Sequence, residues 1–339
     1  MSLTTTREYR WDDPGAPTLN GVAGSFYALM KACLVGSGGV AYGSGAQAKP
    51  AAGWSIAFDD PGNQKIVFRN SQAHGGSGCY LRVLDNGSSA GGARVARIDV
   101  YEAMTDIDTG TAPAGGGWVW KARLADANPR AWTLHADERT VYGTQWVQDA
   151  TPQDFPTNGA SNASQMMAWT AGDYDPLVPG DPGIMCAASA TENPLTSASA
   201  AVDSGLLTRR ATAAGPYASS PFWVSRSPTL TIAATRVALV SPDNAQGAVG
   251  IGGSAARMLP PDAIAPLFLP ALILSDNALR GRARGLYVPC NDWANAGGAP
   301  VGSTFAAAGV SAPLSLAALC GSSQTSASVN NVGRVFVAR

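Results

Sequence analysis

Short stretches of alternating apolar and polar residues recur along the chain, separated by clusters of Gly, Pro, Asn and Asp. In one of them Ala96, Ile98 and Val100 fall on one face, and Arg97 and Asp99 fall on the other. Alternation with this period is typical of a half-buried β-strand. Further strands are predicted at residues 65–69, 79–84, 118–122, 131–135, 139–142, 229–240, 264–274, 285–289, 314–319 and 332–338. The pattern predicts a mainly β protein with short-strand, sandwich-like or barrel-like domains.

One segment near the N-terminus has helical spacing instead, and it predicts a helix over about residues 21–35. Asn20 is positioned to cap its start, and Gly36 to end it. Its apolar stripe consists of Val22, Phe26, Leu29, Met30 and Cys33. Few other helices are expected, although the sequence of residues 197–209 is compatible with one.

The 339 residues are enough for two or three folding units. The predicted division is an N-terminal mostly β domain at residues 1–147, a middle segment or insertion at 148–225, and a C-terminal β domain at 226–339. The middle segment is rich in Ser, Ala, Asn, Pro and Gly. Residues 36–45 are glycine-rich and are expected to form a turn-rich loop that becomes ordered by docking on a partner.

Charged residues make up 14% of the chain, against roughly 25% in an ordinary soluble protein. The formal net charge is −1. Nucleic-acid binding relies on a clustered positive face, so this balance argues against nucleic acid as the main partner. A surface of small neutral side chains fits a subunit that covers much of itself with neighbouring molecules.

The five cysteines are widely spaced, odd in number and without CxxC spacing, so they are expected to be reduced and mostly buried. They are Cys33, Cys79, Cys186, Cys290 and Cys320. The first residues lack the apolar core of a signal peptide, and no apolar run reaches the roughly 18–20 residues that span a bilayer. The sequence therefore predicts a protein that is neither secreted by the usual route nor embedded in a membrane.

Acid–base catalysis has two histidine candidates, His74 and His135. His135 is followed by Asp137 and Glu138, but the strand-like alternation around it favours a half-buried structural residue. His74 lies in AHGGSGC near Ser77, which lacks the G-x-S-x-G elbow, so a solvated turn is favoured. No catalytic residue is therefore predicted.

Metal and cofactor binding have weak candidates. Asp106 and Asp108 begin like a calcium loop, but Gly117 stands where the bidentate Glu of such a loop would be. GxxxxGK[ST] is absent, and GIGGSAA lacks a suitable preceding strand and a downstream acid. Scattered carboxylates without an acid–base pattern are Asp173, Asp175 and Asp181. No metal site and no cofactor are predicted.

The most basic spot is LRGRARGLY, in which Arg280, Arg282 and Arg284 share one face of a predicted strand. We expect this face to be an interface that pairs with carboxylates of a neighbour. The alternative is an exposed edge strand that charge guards against aggregation. Changing all three arginines to Ser is expected to weaken assembly and to leave the isolated fold intact.

A further set of segments consists of turns, aromatic residues and small residues in a fixed order. The first, DDPGAPTLNGVAGSFYALMKACLVGSGG (12–39), has a GAP-x-L-x-G turn that leads into a helix ending near CLV. It is followed by AAGWSIAF (51–58), YLRVLDNG (80–87), VARIDVYEAMTDIDTGT (95–111), RAWTLHADERTVY (130–142) and LRGRARGLYVP (279–289). Together they resemble a family of uncharacterised structural proteins of tailed bacteriophages. The resemblance covers residues 10–145 well and 265–290 weakly, and Ala283-Arg284 departs from a proline-containing turn of that family.

The resemblance implies a non-enzymatic virion component, tail- or baseplate-associated, that is made in the bacterial host cytoplasm. Its partners would be other virion structural proteins and copies of itself, and the family supplies no catalytic residues. One alternative is a head or capsid-surface decoration protein. Another is a host-surface tail protein that binds or degrades carbohydrate. The nine Trp and nine Tyr leave carbohydrate binding open, whereas a depolymerase would usually be longer and show β-helix repeats.

Overall fold

The computed structural model of the chain describes residues 6–147, 166–188, 222–240, 268–275, 278–289, 304–305, 314–317 and 335–338. Within these residues the protein is mainly β, which confirms the predicted fold class. The helical elements there are α1 (Ser25–Leu34) and 3-10 turns at Gly45–Gln47, Pro61–Asn63, Gln72–His74 and Gly92–Arg94. The strands, in chain order, are β1 (Arg7–Arg10), β2 (Val40–Tyr42), β3 (Lys49–Pro50), β4 (Ser55–Asp60), β5 (Lys65–Arg69), β6 (Tyr80–Leu84), β7 (Val95–Met104), β8 (Gly110–Trp120), β9 (Trp132–Ala136), β10 (Thr140–Trp146), β11 (Met166–Asp173), β12 (Asp175–Pro176), β13 (Ile184–Ala187), β14 (Phe222–Arg226), β15 (Ile232–Arg236), β16 (Ala238–Val240), β17 (Phe268–Ser275), β18 (Ala278–Pro289), β19 (Thr304–Phe305), β20 (Leu314–Ala317) and β21 (Val335–Ala338).

The strands form three main sheets and one small hairpin. The outer sheet is an antiparallel meander in the order β4-β5-β6-β7-β8. The central sheet has the order β1-β9-β10-β11-β13-β14-β15. The third sheet has the order β16-β17-β18-β21-β20-β19, and β12 also pairs with β18. The hairpin joins β2 to β3.

Side chains of the central sheet alternate between two separate cores. In β11, Met167 and Trp169 belong to the core shared with α1 and the outer sheet. Ala168, between them, belongs to the core shared with the third sheet. Ile184 and Met185 divide in the same way in β13. Because both faces of the central sheet are covered, β13 is a continuous apolar run rather than an alternating one.

The predicted middle segment is not separate from its neighbours. Its strands β11 and β13 lie in the same sheet as β9 and β10, which come from the predicted N-terminal domain. The division at residues 147 and 225 therefore does not follow the described sheets. The helix considered at residues 197–209 lies outside the described residues. No helix in the described part of the chain is long and apolar enough to cross a membrane.

The apolar stripe of the helix is confirmed at four of its five positions. Phe26, Leu29, Met30 and Cys33 are buried against the outer and central sheets. The ring of Phe26 meets Trp169 edge to face, with centroids 5.4 Å apart and an interplanar angle of 76°. Pairs in this geometry contribute about 0.5–1.5 kcal/mol beyond their area burial.

The predicted start of the helix is wrong. α1 begins at Ser25, after Gly24 in a left-handed conformation (φ 85°) that provides no side-chain cap. Asn20 accepts a hydrogen bond from the backbone N–H of Val22 in the preceding turn, and Val22 is 44% exposed. The cap comes instead from a distant carboxylate, Asp85, at the end of β6. Spacing along the sequence could not reveal it.

Strand β8 is longer than the strand predicted at residues 118–122, because glycines are typical of turns in a sequence and four of them lie in the first part of β8. A Cβ at Gly110 would lie 2.5 Å from the Tyr101 ring, and one at Gly115 would lie 2.6 Å from Trp223. These glycines allow aromatic side chains to lie directly against the strand backbone, which is a recognised role of Gly within sheets.

The glycine-rich passage after the helix is ordered by the chain itself, contrary to the expectation of docking. Strand β2 lies within it and pairs with β3, which follows it. The backbone N–H of Ala51 donates to the Gly39 carbonyl, and the Tyr9 hydroxyl donates to the Pro50 carbonyl, each at 2.8 Å. The passage is thus a hairpin fastened to β1.

Candidate functional site

The solvent-facing side of the outer sheet carries three arginine–aromatic pairs, which we call the Arg–aromatic face. The strand register places Arg69 opposite Tyr80 and Arg97 opposite Trp118, while Arg82 lies diagonal to Tyr101. Each guanidinium carbon lies 5.1–5.4 Å from the ring centroid of its partner. These distances fit cation–π interaction, worth about 0.5–1 kcal/mol at exposed sites.

One carboxylate, that of Asp99, binds two of the three arginines of this face. Asp99 accepts hydrogen bonds from Arg82 at 2.8 Å and from Arg97 at 2.9–3.1 Å. Its side chain is 7% exposed, whereas that of Arg97 is 41% exposed. Burial, and then the charge of Asp99, raise the pKa of Tyr101. Asp99 therefore fixes both guanidinium planes against their aromatic partners.

A cavity of about 260 Å³ opens beside Trp118 at one end of the Arg–aromatic face. The loop between β6 and β7 forms one wall, where Asn86 accepts a hydrogen bond from the backbone N–H of Ser88 and the Ser89 hydroxyl donates to the Gly92 carbonyl. The lining residues are Leu84, Asn86, Gly87, Ser88, Ser89, Ala90, Val95, Arg97 and Trp118. This set offers an aromatic surface, a cation, an amide and hydroxyls, but no carboxylate, histidine or cysteine.

Two of the three arginines singled out from the sequence, Arg280 and Arg284, pair with carboxylates of the same chain. Arg280 is 1% exposed, and its Nε lies 3.0 Å from Asp181 Oδ2. Arg284 Nε lies 2.9 Å from Asp137 Oδ2, and its Nη1 lies 3.3 Å from Asp175. Internal carboxylates thus take the role that the sequence suggested for a neighbour. An interface at this strand remains a prediction, with Arg282 as its half-buried candidate.

The alternative of an exposed edge strand is wrong for this segment. β18 pairs with β17 on one side, and with β21 and β12 on the other. The arginines therefore lie inside the third sheet, between paired neighbours.

The two histidines have different environments. His135 is 2% exposed in β9, and its Nε2 lies 3.7 Å from Glu8 Oε1, which is equally buried. His74 is exposed in a 3-10 turn, where its Nδ1 lies 2.8 Å from the Ser71 hydroxyl. His74 thus lies in an exposed turn, as the sequence predicted, whereas His135 is fully buried rather than half-buried.

The segment that begins like a calcium loop is the turn between β7 and β8. Asp106 accepts hydrogen bonds from the backbone N–H groups of Asp108 and Thr109, both at 2.8 Å. These bonds lower the pKa of Asp106. Asp108 forms an ion pair with Lys65 at 2.6 Å. Across the described residues, no group of three or more His, Cys, Asp or Glu side chains is placed to hold a metal ion.

Asp173, one of the scattered carboxylates, is a buried junction that the sequence did not reveal. It accepts hydrogen bonds from the hydroxyl and backbone N–H of Ser77, at 2.6 and 2.9 Å, and from Asn70 at 2.9 Å. Arg139 Nε lies 3.1 Å away. Burial raises the pKa of Asp173 despite these donors. Asp173 thereby fastens the loop between β5 and β6 to the central sheet.

A second buried junction, also missed, lies under the first turn of α1. Lys121 Nζ is 2.5 Å from Asp85 Oδ1, and neither side chain is exposed. The other carboxylate oxygen, Oδ2, accepts the backbone N–H groups of Phe26 and Tyr27 at 2.8 and 3.3 Å. Burial raises the pKa of Asp85 and lowers that of Lys121. The sequence signal that could have indicated this junction is the position of Lys121 inside the apolar run WVWKA (118–122), where a lysine needs a buried partner.

Three cysteines support the expectation of reduced, buried thiols. Cys33, Cys79 and Cys186 are buried and form no disulfide, and burial raises the pKa of each thiol. Cys290 and Cys320 lie outside the described residues.

Comparison with protein-family models and with curated proteins identifies no match.

Proposed function

We propose that this chain is a non-enzymatic structural subunit of a tailed-phage virion, associated with the tail or baseplate. It would act through self-assembly and docking to other virion proteins, after synthesis in the host cytoplasm. The ordered set of segments between residues 12 and 142 supports the phage assignment through its resemblance to phage structural proteins. The low charge of the chain supports a subunit that is covered by neighbours.

The non-enzymatic part of the proposal rests on one observation: buried charged side chains pair with each other and join elements of the fold. Asp85 with Lys121, Asp173 with Arg139, and Asp181 with Arg280 each join one element to another. An enzyme instead aims some of its titratable groups into a cleft where substrate reaches them. The cavity beside Trp118 is lined by one charged group, Arg97, and by no carboxylate, histidine or cysteine.

Quantitative mass spectrometry of purified particles tests the proposal. We expect the chain in a fixed copy number per particle, and particles from a deletion strain should be incomplete. Labelling of a tag on the native protein distinguishes tail or baseplate from head, which is the alternative position. A stable monomer that is absent from purified virions would contradict a structural role.

The cavity favours a second candidate, recognition of a host-surface saccharide by the same particle. Sugar rings present apolar faces that stack on aromatic side chains, and their hydroxyls pair with groups such as Asn86 and Ser88. Pockets for small ligands combine these features: mostly apolar walls and a few placed polar groups. Trp118 and Arg97 would supply the wall of the site.

Binding of the purified chain to host-surface polysaccharide, measured by calorimetry, tests this second candidate. Trp118→Ala should abolish the heat of binding while the fold is retained. Tyr80→Ala removes an aromatic group from the same face away from the cavity, and is the matched control that should bind as the wild type does. Equal binding by both variants would contradict saccharide recognition at this cavity.

A further inference from the structure

Lys121 and Asp85 are held in direct contact, so that a buried amine and a buried carboxyl group lie side by side. Lys121 directly follows β8, and Asp85 directly follows β6, so the two ends of these strands meet below α1. Both side chains are fully buried, and Nζ lies 2.5 Å from Oδ1. Nζ also contacts the Val22 carbonyl at 2.7 Å and the Ser25 hydroxyl at 3.3 Å. The amine is therefore held in one orientation.

The opposite side of the carboxylate resembles an oxyanion hole. Two backbone N–H groups at the start of α1, those of Phe26 and Tyr27, point at Oδ2. Donors placed in this way stabilise the negative charge that develops on oxygen when a nucleophile adds to the carboxyl carbon. The amine thus contacts one oxygen of the carboxyl group, and the backbone donors contact the other.

We propose that Lys121 and Asp85 condense into an intramolecular amide bond that joins the end of β8 to the end of β6. The inference does not depend on the proposed virion role, because it rests only on the chemistry of this pair.

The reaction balances within the pair. A proton moves from Nζ to Oδ1, which leaves a neutral amine and a neutral acid. The amine lone pair attacks the carboxyl carbon of Asp85, and the electrons of the C–Oδ2 double bond move onto Oδ2. A second proton passes from Nζ to Oδ1, the electrons on Oδ2 re-form the C–Oδ2 double bond, the C–Oδ1 bond breaks, and one water molecule leaves. An ammonium and a carboxylate have become an amide and water, without an oxidant or reductant.

Burial and proximity favour this condensation here. Removal from water disfavours the charged forms of both groups and so shifts the pair toward its neutral, reactive form. Groups fixed in contact react with effective molarities of about 10⁵–10⁸ M. Two other Lys–Asp pairs are as close but solvent-exposed: Lys31 with Asp59 and Lys65 with Asp108, each at 2.6 Å. Because water solvates their charged forms, these pairs are expected to remain ionic.

The intact mass of the denatured, full-length wild-type chain is the decisive measurement. We expect a mass lower than that of the sequence by one water molecule. Tryptic digestion should yield a branched peptide in which residues 83–94 are joined to residues 98–123, because trypsin does not cleave after an acylated Lys121. A mass equal to that of the sequence would overturn the proposal whatever the behaviour of any variant. So would a water loss confined to residues 83–94 without the branch.

Two lysine variants test the assignment. Lys121→Arg should restore the full mass, because a guanidinium does not form this amide. Lys31→Arg is the matched control and should retain the loss of water. Persistence of the loss in Lys121→Arg, or its disappearance in Lys31→Arg, would refute the assignment to Lys121.

Discussion

Arg284 fastens the third sheet to the central sheet, since its Nε lies 2.9 Å from Oδ2 of Asp137 in the turn between β9 and β10. The other oxygen of Asp137 accepts the backbone N–H groups of Arg139 and Thr140. One carboxylate therefore shapes the turn and holds the neighbouring layer. The Tyr142 hydroxyl donates to the Arg284 carbonyl across the same boundary.

Arg284→Met is accordingly expected to lower the free energy of unfolding by about 2–4 kcal/mol, because it leaves Asp137 largely buried without its cation. Urea denaturation measures the change. Arg10→Met is the control: Arg10 pairs with Asp12 at the surface, where the loss should stay below about 1 kcal/mol. Equal losses in both variants would show that burial does not decide the effect.

Replacing all three arginines of β18 with Ser will unfold or strongly destabilise the chain, contrary to the expectation from the sequence. Arg280 is the cause, because it pairs with Asp181 in a site where both side chains are 1% exposed. Arg280→Ser alone should cost about 3–5 kcal/mol in unfolding free energy. Adding Asp181→Asn should restore part of that loss. Additive losses in the double variant would contradict the coupling.

Arg282→Ser is therefore the variant that tests the interface prediction. We expect an unchanged unfolding midpoint and weaker assembly, with the difference shrinking at high salt because salt screens charge pairs. Sedimentation of the wild type and the variant at two salt concentrations measures this. Identical sedimentation at both would remove Arg282 from any interface.

Gly115→Ala should separate the outer sheet from the central sheet locally. Gly115 has φ +99°, and a new Cβ would lie 2.6 Å from Trp223. The backbone strain and overpacking together should cost about 2–4 kcal/mol in unfolding free energy. Gly92→Ala is the matched control, since Gly92 also has positive φ but nothing within 4 Å of the added Cβ. A loss no larger than that of Gly92→Ala would show that the contact with Trp223 is not limiting.

The contribution of Asp173 to the free energy of unfolding should fall as pH rises through the titration of its carboxyl group. Burial raises its pKa in the folded state, so the folded protein binds the proton more tightly than the unfolded chain does. This contribution is fully present below the unfolded pKa of about 3.9 and is lost as pH passes the folded pKa. Asp173→Asn mimics the protonated form, so the stability of the wild type relative to this variant should decline with rising pH.

Urea denaturation across a pH series measures that decline. Asp12 provides the opposite control, because its hydrogen bond with Arg10 lowers its pKa. The stability of the wild type relative to Asp12→Asn should instead be present above the unfolded pKa and be lost on acidification. If the stability of the wild type relative to each variant changed with pH in the same direction, burial at Asp173 and the hydrogen bond at Asp12 would not be the causes of the pKa shifts.

The elements that the sequence predicted well are those whose signal is local. Strand β5 was located at its observed bounds because its apolar residues end at Asn70, and the apolar stripe of α1 needed only helical spacing. The start of α1 was misplaced because its cap, Asp85, lies 59 residues from Phe26. Asn20, a good cap by residue type, serves a different turn.

The junctions escaped prediction for a related physical reason. A carboxylate such as Asp173 looks the same in sequence whether it is surrounded by water or by donor groups of three distant residues. The pairs of the Arg–aromatic face depend on strand register, which composition does not specify. In sequence, Gly115 is typical of a turn. Its role inside a strand depends on its contact with Trp223, which belongs to a different sheet and therefore leaves no local signal.

The central sheet has a consequence for the order in which the chain folds. Strand β1 pairs with β9, with Arg7 opposite Ala136, so this edge can close only after synthesis has passed Ala136. The outer sheet, by contrast, is a meander of consecutive strands and can form from local hairpins. Because long-range pairing slows folding, β1 remains without its β9 partner while the outer sheet forms. Its backbone N–H and C=O groups are unpaired during that time. During synthesis, that unpaired strand is available to pair with another nascent chain.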